Sequence, residues 1–135
     1  MLQRIQSIWL LIAALAAVAT LKLPFYTGNT TDKLFAELNG TSSFVVLILT
    51  VAVALLSVVA IFLFKNRKLQ MQTTLVAFLI DLIVLVLYVT RLKNYTEGAF
   101  ALSSVISFVI PVLLILAWLG IRKDEKLVRS MDRLR

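Results

Sequence analysis

The amino-acid sequence predicts an all-α membrane bundle of four transmembrane helices, with both termini on the cytoplasmic side. Three observations support this fold class: an apolar composition, four apolar runs of helical length, and an uneven distribution of basic residues. Hydrophobic residues make up 61% of the 135 residues and charged residues 16%. Soluble domains average about 45–50% apolar and roughly 25% charged residues, so a soluble fold of this length could not bury the excess.

The four apolar runs predict helices over residues 6–23, 43–64, 71–89 and 99–121, which together form a single domain. A helix needs roughly 20 residues to cross a hydrocarbon core of about 30 Å. The first run is short for this purpose, and with Arg4 it also resembles a signal peptide, although we expect a retained helix. A β-barrel is disfavoured because the runs are apolar on all faces.

Basic residues predict the orientation of the bundle through the positive-inside rule. Ten lie on one side: Arg4, Lys65, Arg67, Lys68 and the six of the C-terminal tail. Four lie on the other side: Lys22, Lys33, Arg91 and Lys93. The excess of ten over four places both termini in the cytoplasm.

The C-terminal tail, residues 122–135, is predicted to be a basic amphipathic segment. Leu127, Met131 and Leu134 recur at helical spacing with basic residues opposite them. Two interpretations are open: the tail extends helix four along anionic lipid headgroups, or it docks a cytoplasmic partner. The candidate contact residues are Arg122, Lys123, Lys126, Arg129 and Arg133. The net charge is +7, and the basic residues that produce it flank the apolar runs. Anionic lipid headgroups are therefore a simpler partner than nucleic acid.

Asp81 is the candidate intramembrane site, because it lies near the middle of the third run. A charge at that depth costs at least about 2.5 kcal/mol. Since no Lys or Arg lies at the same depth, we expect a protonated Asp81 that is hydrogen bonded to a hydroxyl or a carbonyl. The polar residues expected near it are Thr50, Ser57, Tyr88 and Ser107. Three interpretations are open: a polar contact between helices, a proton or cation relay, and a contact with an opposite charge on a partner protein.

Two other features concern the fold. Pro111 lies midway in the fourth run and predicts a kink, because proline cannot donate a hydrogen bond to the carbonyl of Ser107. In the outer loop, Asp32 is predicted to cap a short helix whose Leu34, Phe35 and Leu38 share one face.

The residue types in the chain disfavour most enzymatic chemistry. The sequence contains no cysteine and no histidine, which removes disulfides, thiol nucleophiles and imidazole acid–base catalysis. It also has no phosphate-binding loop, no nucleophile elbow and no paired carboxylates. We therefore predict no catalytic, metal-binding or cofactor-binding residue, and a protein that is not an enzyme.

The opening segment MLQRIQSIWLL and the segment LPFY at residues 23–26 carry a resemblance. With the four-span layout, they resemble an uncharacterised family of small four-helix membrane proteins of Bacteroidota, a domain-of-unknown-function family. The resemblance covers essentially the whole chain, and its specific part is the first dozen residues. It implies a bacterial inner membrane, where glycosylation-type matches at Asn29, Asn39 and Asn94 carry no meaning, and it implies no activity.

Two functional hypotheses from different classes follow. The first is an accessory or assembly subunit of a larger inner-membrane complex, bound to a membrane-protein partner or to further copies of itself. The second is a small proton or cation transporter or channel that uses Asp81.

Overall fold

The computed structural model describes residues 2–135, with side chains from Ile5 onward, so the side chain of Arg4 lies outside the described part. Four helices follow one another: α1 Leu2–Thr20, α2 Phe44–Phe62, α3 Arg67–Arg91 and α4 Ser104–Asp132. Three strands lie between them: β1 Tyr26–Thr30, β2 Phe35–Leu38 and β3 Tyr95–Phe100. The four predicted helices are confirmed, whereas the small sheet is an element that the all-α prediction missed.

The helices form a closed bundle in chain order. Each helix packs against the next one, and α1 also packs against α4. Each helix buries one stripe of residues three or four positions apart, which is the spacing of a single helical face. Alanine is frequent in the central core: Ala13, Ala17, Ala54, Ala60, Ala77 and Ala117. Such small residues bring the helix axes close together, so the interior is filled by side chains.

The outer surface of the bundle is strongly apolar. Three helical segments are long and apolar enough to cross a membrane: Phe44–Lys65, Arg67–Asn94 and Ser104–Asp132. The apolar part of α1, Ile5–Thr20, is shorter. Large hydrophobic side chains such as Leu15, Leu55 and Val86 are about 60% exposed, at 63%, 59% and 60% respectively. Such a surface suits lipid rather than water as the surrounding medium.

Several helix boundaries differ from the predicted ones for local reasons. α3 begins at Arg67, four residues early, because the Asn66 side chain accepts a hydrogen bond from Leu69 N at 3.4 Å and caps the helix. α4 begins at Ser104 because residues 95–100 form a strand. The same helix runs through Pro111 and continues to Asp132, so most of the tail prolongs α4. The kink at Pro111 stays a prediction.

The α1–α2 and α3–α4 connections form a three-stranded antiparallel sheet in the order β2-β1-β3. The predicted helix capped by Asp32 is wrong, because this segment makes the turn between β1 and β2. Lys33 has a positive φ of 59°, and Thr30 N donates to Leu34 O at 3.0 Å, which closes the turn. β3 then pairs with β1 and joins the α3–α4 connection to the α1–α2 connection.

An aromatic cluster attaches the sheet to the bundle. The ring of Phe25, directly before β1, stacks on that of Tyr88 in α3, with centroids 4.6 Å apart. Its edge contact with Phe100 at the end of β3 has a centroid separation of 5.7 Å. Phe25 and Tyr88 are both 1% exposed. The two outer connections are therefore fixed at the same end of the bundle, opposite the turn at Asn66.

Candidate functional site

The buried face of α3 carries four polar residues among its six members. The six recur at alternating spacings of four and three residues, and they are Gln70, Thr74, Ala77, Asp81, Val84 and Tyr88. These six residues lie on one helical face. Asp81 lies 14 residues after the start of α3 and 10 before its end, and it is 4% exposed. Its carboxyl group therefore lies inside the bundle.

The other predicted polar residues are also buried. Thr50 and Ser57 on α2 are 3% and 0% exposed, and Ser107 on α4 is 4% exposed. Thr50 precedes the Asn66 turn by 16 residues and Asp81 follows it by 15, so the two lie at the same level of adjacent antiparallel helices. By the same count Ser57 is level with Thr74, about two turns closer to the Asn66 turn.

Two of the buried hydroxyl groups are satisfied within their own helices. Ser57 Oγ donates to Val53 O at 2.8 Å, and Thr74 Oγ1 donates to Gln70 O at 2.8 Å. Such bonds to the preceding turn are common for Ser and Thr inside helices. Ser57 is therefore occupied locally and does not connect α2 to Asp81.

Three buried polar atoms at the centre and outer part of the bundle have no hydrogen-bond partner among the described residues: Thr50 Oγ1, Asp81 Oδ2 and Tyr88 Oη. The hydrogen bond that we expected from Asp81 is thus not formed by Oδ2. An unsatisfied buried polar group costs about 1–3 kcal/mol. These atoms lie on the facing sides of α2 and α3, and they leave hydrogen-bonding capacity unused inside the bundle.

A second buried polar cluster lies at the opposite end and joins three helices. Gln6 Nε2 in α1 donates to Asp124 Oδ2 in α4 at 2.5 Å. Arg67 Nη1 at the start of α3 donates to the backbone oxygen of Asp124 at 2.9 Å. Gln6 is 4% and Asp124 7% exposed. We call these three residues the inner polar joint.

Sequence reasoning missed the inner polar joint, because Asp124 was grouped with the charged tail. A signal was nevertheless present. Asp124 follows Ile110, Leu114, Ala117 and Ile121 at helical spacing, so it continues the buried face of α4. In the structure Gly120 allows α4 to approach Gln6 closely, since a Cβ there would lie 2.8 Å from the Cγ atom of Gln6.

The predicted contact residues of the tail lie on exposed parts of α4 and directly after it. Arg122 packs its guanidinium over the ring of Trp118, 5.2 Å from the centroid. Arg129 pairs with Glu125 at 2.8 Å, one turn earlier. Lys123, Lys126 and Arg133 are exposed. Beyond Asp124 no residue of α4 is buried, and we call residues 125–132 the α4 extension.

Acidic side chains are scattered rather than clustered. Within residues 5–135, no group of three or more Asp or Glu side chains could hold a metal ion. A groove between α3 and α4 has a volume of about 220 Å³ and an almost entirely apolar lining that includes Phe78, Leu114 and Trp118. Asp81 does not line this groove.

Comparison with known proteins identifies a family but no characterised relative. A family model described as "Domain of unknown function (DUF4293)" matches residues 2–134, almost the whole chain. No curated protein and no solved structure matches the chain. The match spans all four helices, the sheet and the α4 extension. The chain therefore belongs to the DUF4293 family.

Proposed function

We propose that this chain is a non-enzymatic integral membrane protein of the bacterial inner membrane, with both termini in the cytoplasm. We further propose that it serves as an accessory or assembly subunit that binds a larger membrane-protein complex. The resemblance of its opening segment to proteins of Bacteroidota supports the bacterial location. The excess of basic residues at one end supports the orientation.

The main support for a subunit role is the α4 extension. Past Asp124 this helix continues for two further turns in which no residue is buried. Leu127, Val128 and Met131 are 45%, 42% and 68% exposed. An exposed apolar face flanked by arginines and lysines is the pattern by which amphipathic helices bind a groove on a partner.

The bundle interior offers little support for a substrate path. The alanine-rich core brings the helices together, and the described groove of about 220 Å³ is apolar. Transport paths usually run through several ionisable groups in series. Asp81 is the one carboxyl group in the central part of the bundle. These features favour a binding role over transport.

Truncation of the α4 extension tests this proposal. A stop after Lys126 removes the exposed apolar face but keeps Asp124, and with it the inner polar joint. We expect normal insertion and unchanged thermal unfolding, together with loss of a stoichiometric partner during purification of the native protein in mild detergent. Two double variants distinguish the apolar contribution to partner binding from the contribution of charge. Leu127→Ser with Met131→Ser should weaken association, whereas Arg129→Gln with Arg133→Gln should weaken it less. Unchanged association of the truncated chain would contradict the subunit role.

A second candidate function has one observation in its favour. Thr50 Oγ1, Asp81 Oδ2 and Tyr88 Oη are buried polar atoms without a hydrogen-bond partner among the described residues, so they are available to bind the water molecules or the cation of a relay. If the chain works in this way, pure protein in liposomes should move protons or cations, and Asp81→Asn should stop the flux. Such a flux would replace the subunit proposal.

A further inference from the structure

A cleft lined by basic residues lies at the cytoplasmic end of the bundle, between the α2–α3 turn and the α4 extension. It has a volume of about 550 Å³ and is lined by Phe64, Lys65, Asn66, Arg67, Lys68 and Val128. Three of these six residues carry a positive charge, and none carries a negative one. We propose that this basic cleft is a binding site for the phosphate headgroup of an anionic phospholipid.

The positive charge in the basic cleft is not neutralised by the described residues. The ion pair within residues 5–135 joins Arg129 to Glu125 and involves none of the cleft lysines. Asp124 contacts one lining residue, since its backbone oxygen accepts a hydrogen bond from Arg67, while its Oδ2 atom accepts one from Gln6. Lys65 and Lys68 are both exposed. An anion in the cleft would therefore meet three cations and no carboxylate.

The start of α3 adds a second attraction for an anion. The backbone N–H groups of the first helical turn have no acceptor inside the helix. Arg67 and Lys68, which begin this turn, line the cleft. Asn66 satisfies one of these N–H groups, through its side-chain bond to Leu69 N. The N-terminal end of this 25-residue helix also carries the positive end of the helix dipole. Phosphate is among the anions that bind at such an end.

The apolar part of the lining indicates a lipid rather than a free phosphate. Phe64 and Val128 are 48% and 42% exposed and lie beside the basic residues. The apolar surface of α2 continues from there, with Phe62 73% exposed. A phospholipid can place its phosphate among the cations and its acyl chains along this surface. Basic pockets at the cytoplasmic ends of transmembrane helices bind anionic headgroups in the same manner. This inference does not depend on the protein partner proposed above.

Titration of the full-length protein in neutral detergent tests the basic cleft. The probes are short-chain phosphatidylglycerol, short-chain phosphatidylcholine and inorganic phosphate, with calorimetry and thermal unfolding as readouts. We expect phosphatidylglycerol to bind with saturation and raise the unfolding temperature, while the other two probes have little effect. Lys65→Gln with Lys68→Gln should weaken binding about 25-fold, since each cation near a lipid surface contributes about a factor of five.

Two matched variants make the result specific to the cleft. Lys126→Gln with Arg133→Gln removes the same charge from the C-terminal tail outside the cleft, and it should bind phosphatidylglycerol like the unmodified chain. Lys65→Arg with Lys68→Arg keeps the charge and should also retain binding, even if the glutamine variant unfolds. Equal weakening by both charge-removing variants would overturn the site in favour of general surface charge. Saturable binding of inorganic phosphate with equal affinity would overturn the assignment to lipid.

Discussion

The two buried carboxyl groups of this bundle, Asp81 and Asp124, have different surroundings. Asp124 Oδ2 accepts a hydrogen bond from Gln6, whereas Asp81 Oδ2 has no partner among the described residues. Removal of a partner from a satisfied buried group costs the full desolvation penalty, whereas replacement of an unsatisfied group by an apolar one can be neutral. Loss of the hydrogen-bond donor to Asp124 should therefore destabilise the fold, whereas replacement of the Asp81 side chain by an apolar one should not.

At Asp81, substitution by leucine should not weaken the fold. Because Oδ2 has no hydrogen bond to lose, Asp81→Leu should leave the free energy of unfolding in detergent unchanged or raise it by about 1 kcal/mol. Asp81→Asn, which keeps the shape and the polarity, should stay close to the original chain. A decrease of about 1 kcal/mol or more in Asp81→Leu alone would show that Asp81 is a polar contact between helices after all.

At the inner polar joint, substitution of Gln6 should be costly. Gln6→Leu leaves the Asp124 carboxylate buried without its donor and should lower the free energy of unfolding by about 1–3 kcal/mol. Gln72→Leu is the matched control, because Gln72 is exposed on α3. The double variant Gln6→Leu with Asp124→Leu should recover part of the loss. Equal effects of the two single glutamine substitutions would contradict the importance of the joint.

Among the elements, the sheet has the strictest spatial requirement. Gly28 in β1 pairs with Gly98 in β3 and with Ala36 in β2, so it is the central residue of three strands. A Cβ at Gly28 would lie 2.6 Å from the Cα atom of Gly98 and would also collide with the carbonyl oxygen of Glu97. Only glycine allows β1 and β3 to approach so closely at this point.

Gly28→Ala should therefore disturb the sheet without affecting the helices. We expect a loss of about 1–3 kcal/mol in the free energy of unfolding, which is typical of overpacking at a tight contact. Thr27→Ala, one residue earlier in the same strand, adds no atoms and serves as the control. Thermal unfolding in detergent measures both variants. A Gly28→Ala chain as stable as the control would show that the strands can move apart at little cost.

For the whole molecule, the two ends differ in structure and in charge. The sheet holds the connections that contain Thr41 and Glu97 at one end, and Asn66 lies in the turn at the other end. The basic residues concentrate at the Asn66 end and on the α4 extension. If the positive-inside rule governs insertion, the sheet lies outside the cytoplasm.

Cysteine labelling measures this orientation directly, because the chain has no cysteine of its own. Single cysteines at Thr41, Glu97 and Asn66 replace exposed residues. An impermeant thiol reagent on intact spheroplasts should label the first two positions and not the third. All three should be labelled after permeabilisation, which is the control. Labelling of Asn66 alone in intact spheroplasts would reverse the orientation.

The sequence by itself determined the number of helices and the inward-facing side of α3. The length of an apolar run and the spacing of residues such as Thr74, Ala77 and Asp81 are local properties of the chain. They are sufficient to predict a helix, because all backbone hydrogen bonds of a helix form within the segment itself. Burial of Asp81, Thr50 and Tyr88 on the inner face of the bundle follows from the same periodicity.

Only the tertiary structure decided the contacts between distant segments. β3 pairs with β1, which lies about 70 residues earlier in the chain, as at Gly28 and Gly98. The strands of this sheet are short and polar, so they carry little periodicity that could reveal their pairing. Gln6 and Asp124 are 118 residues apart, and their bond depends on the packing of α1 against α4. Such pairings are properties of the folded bundle, because no local pattern states which distant group will satisfy a buried polar atom.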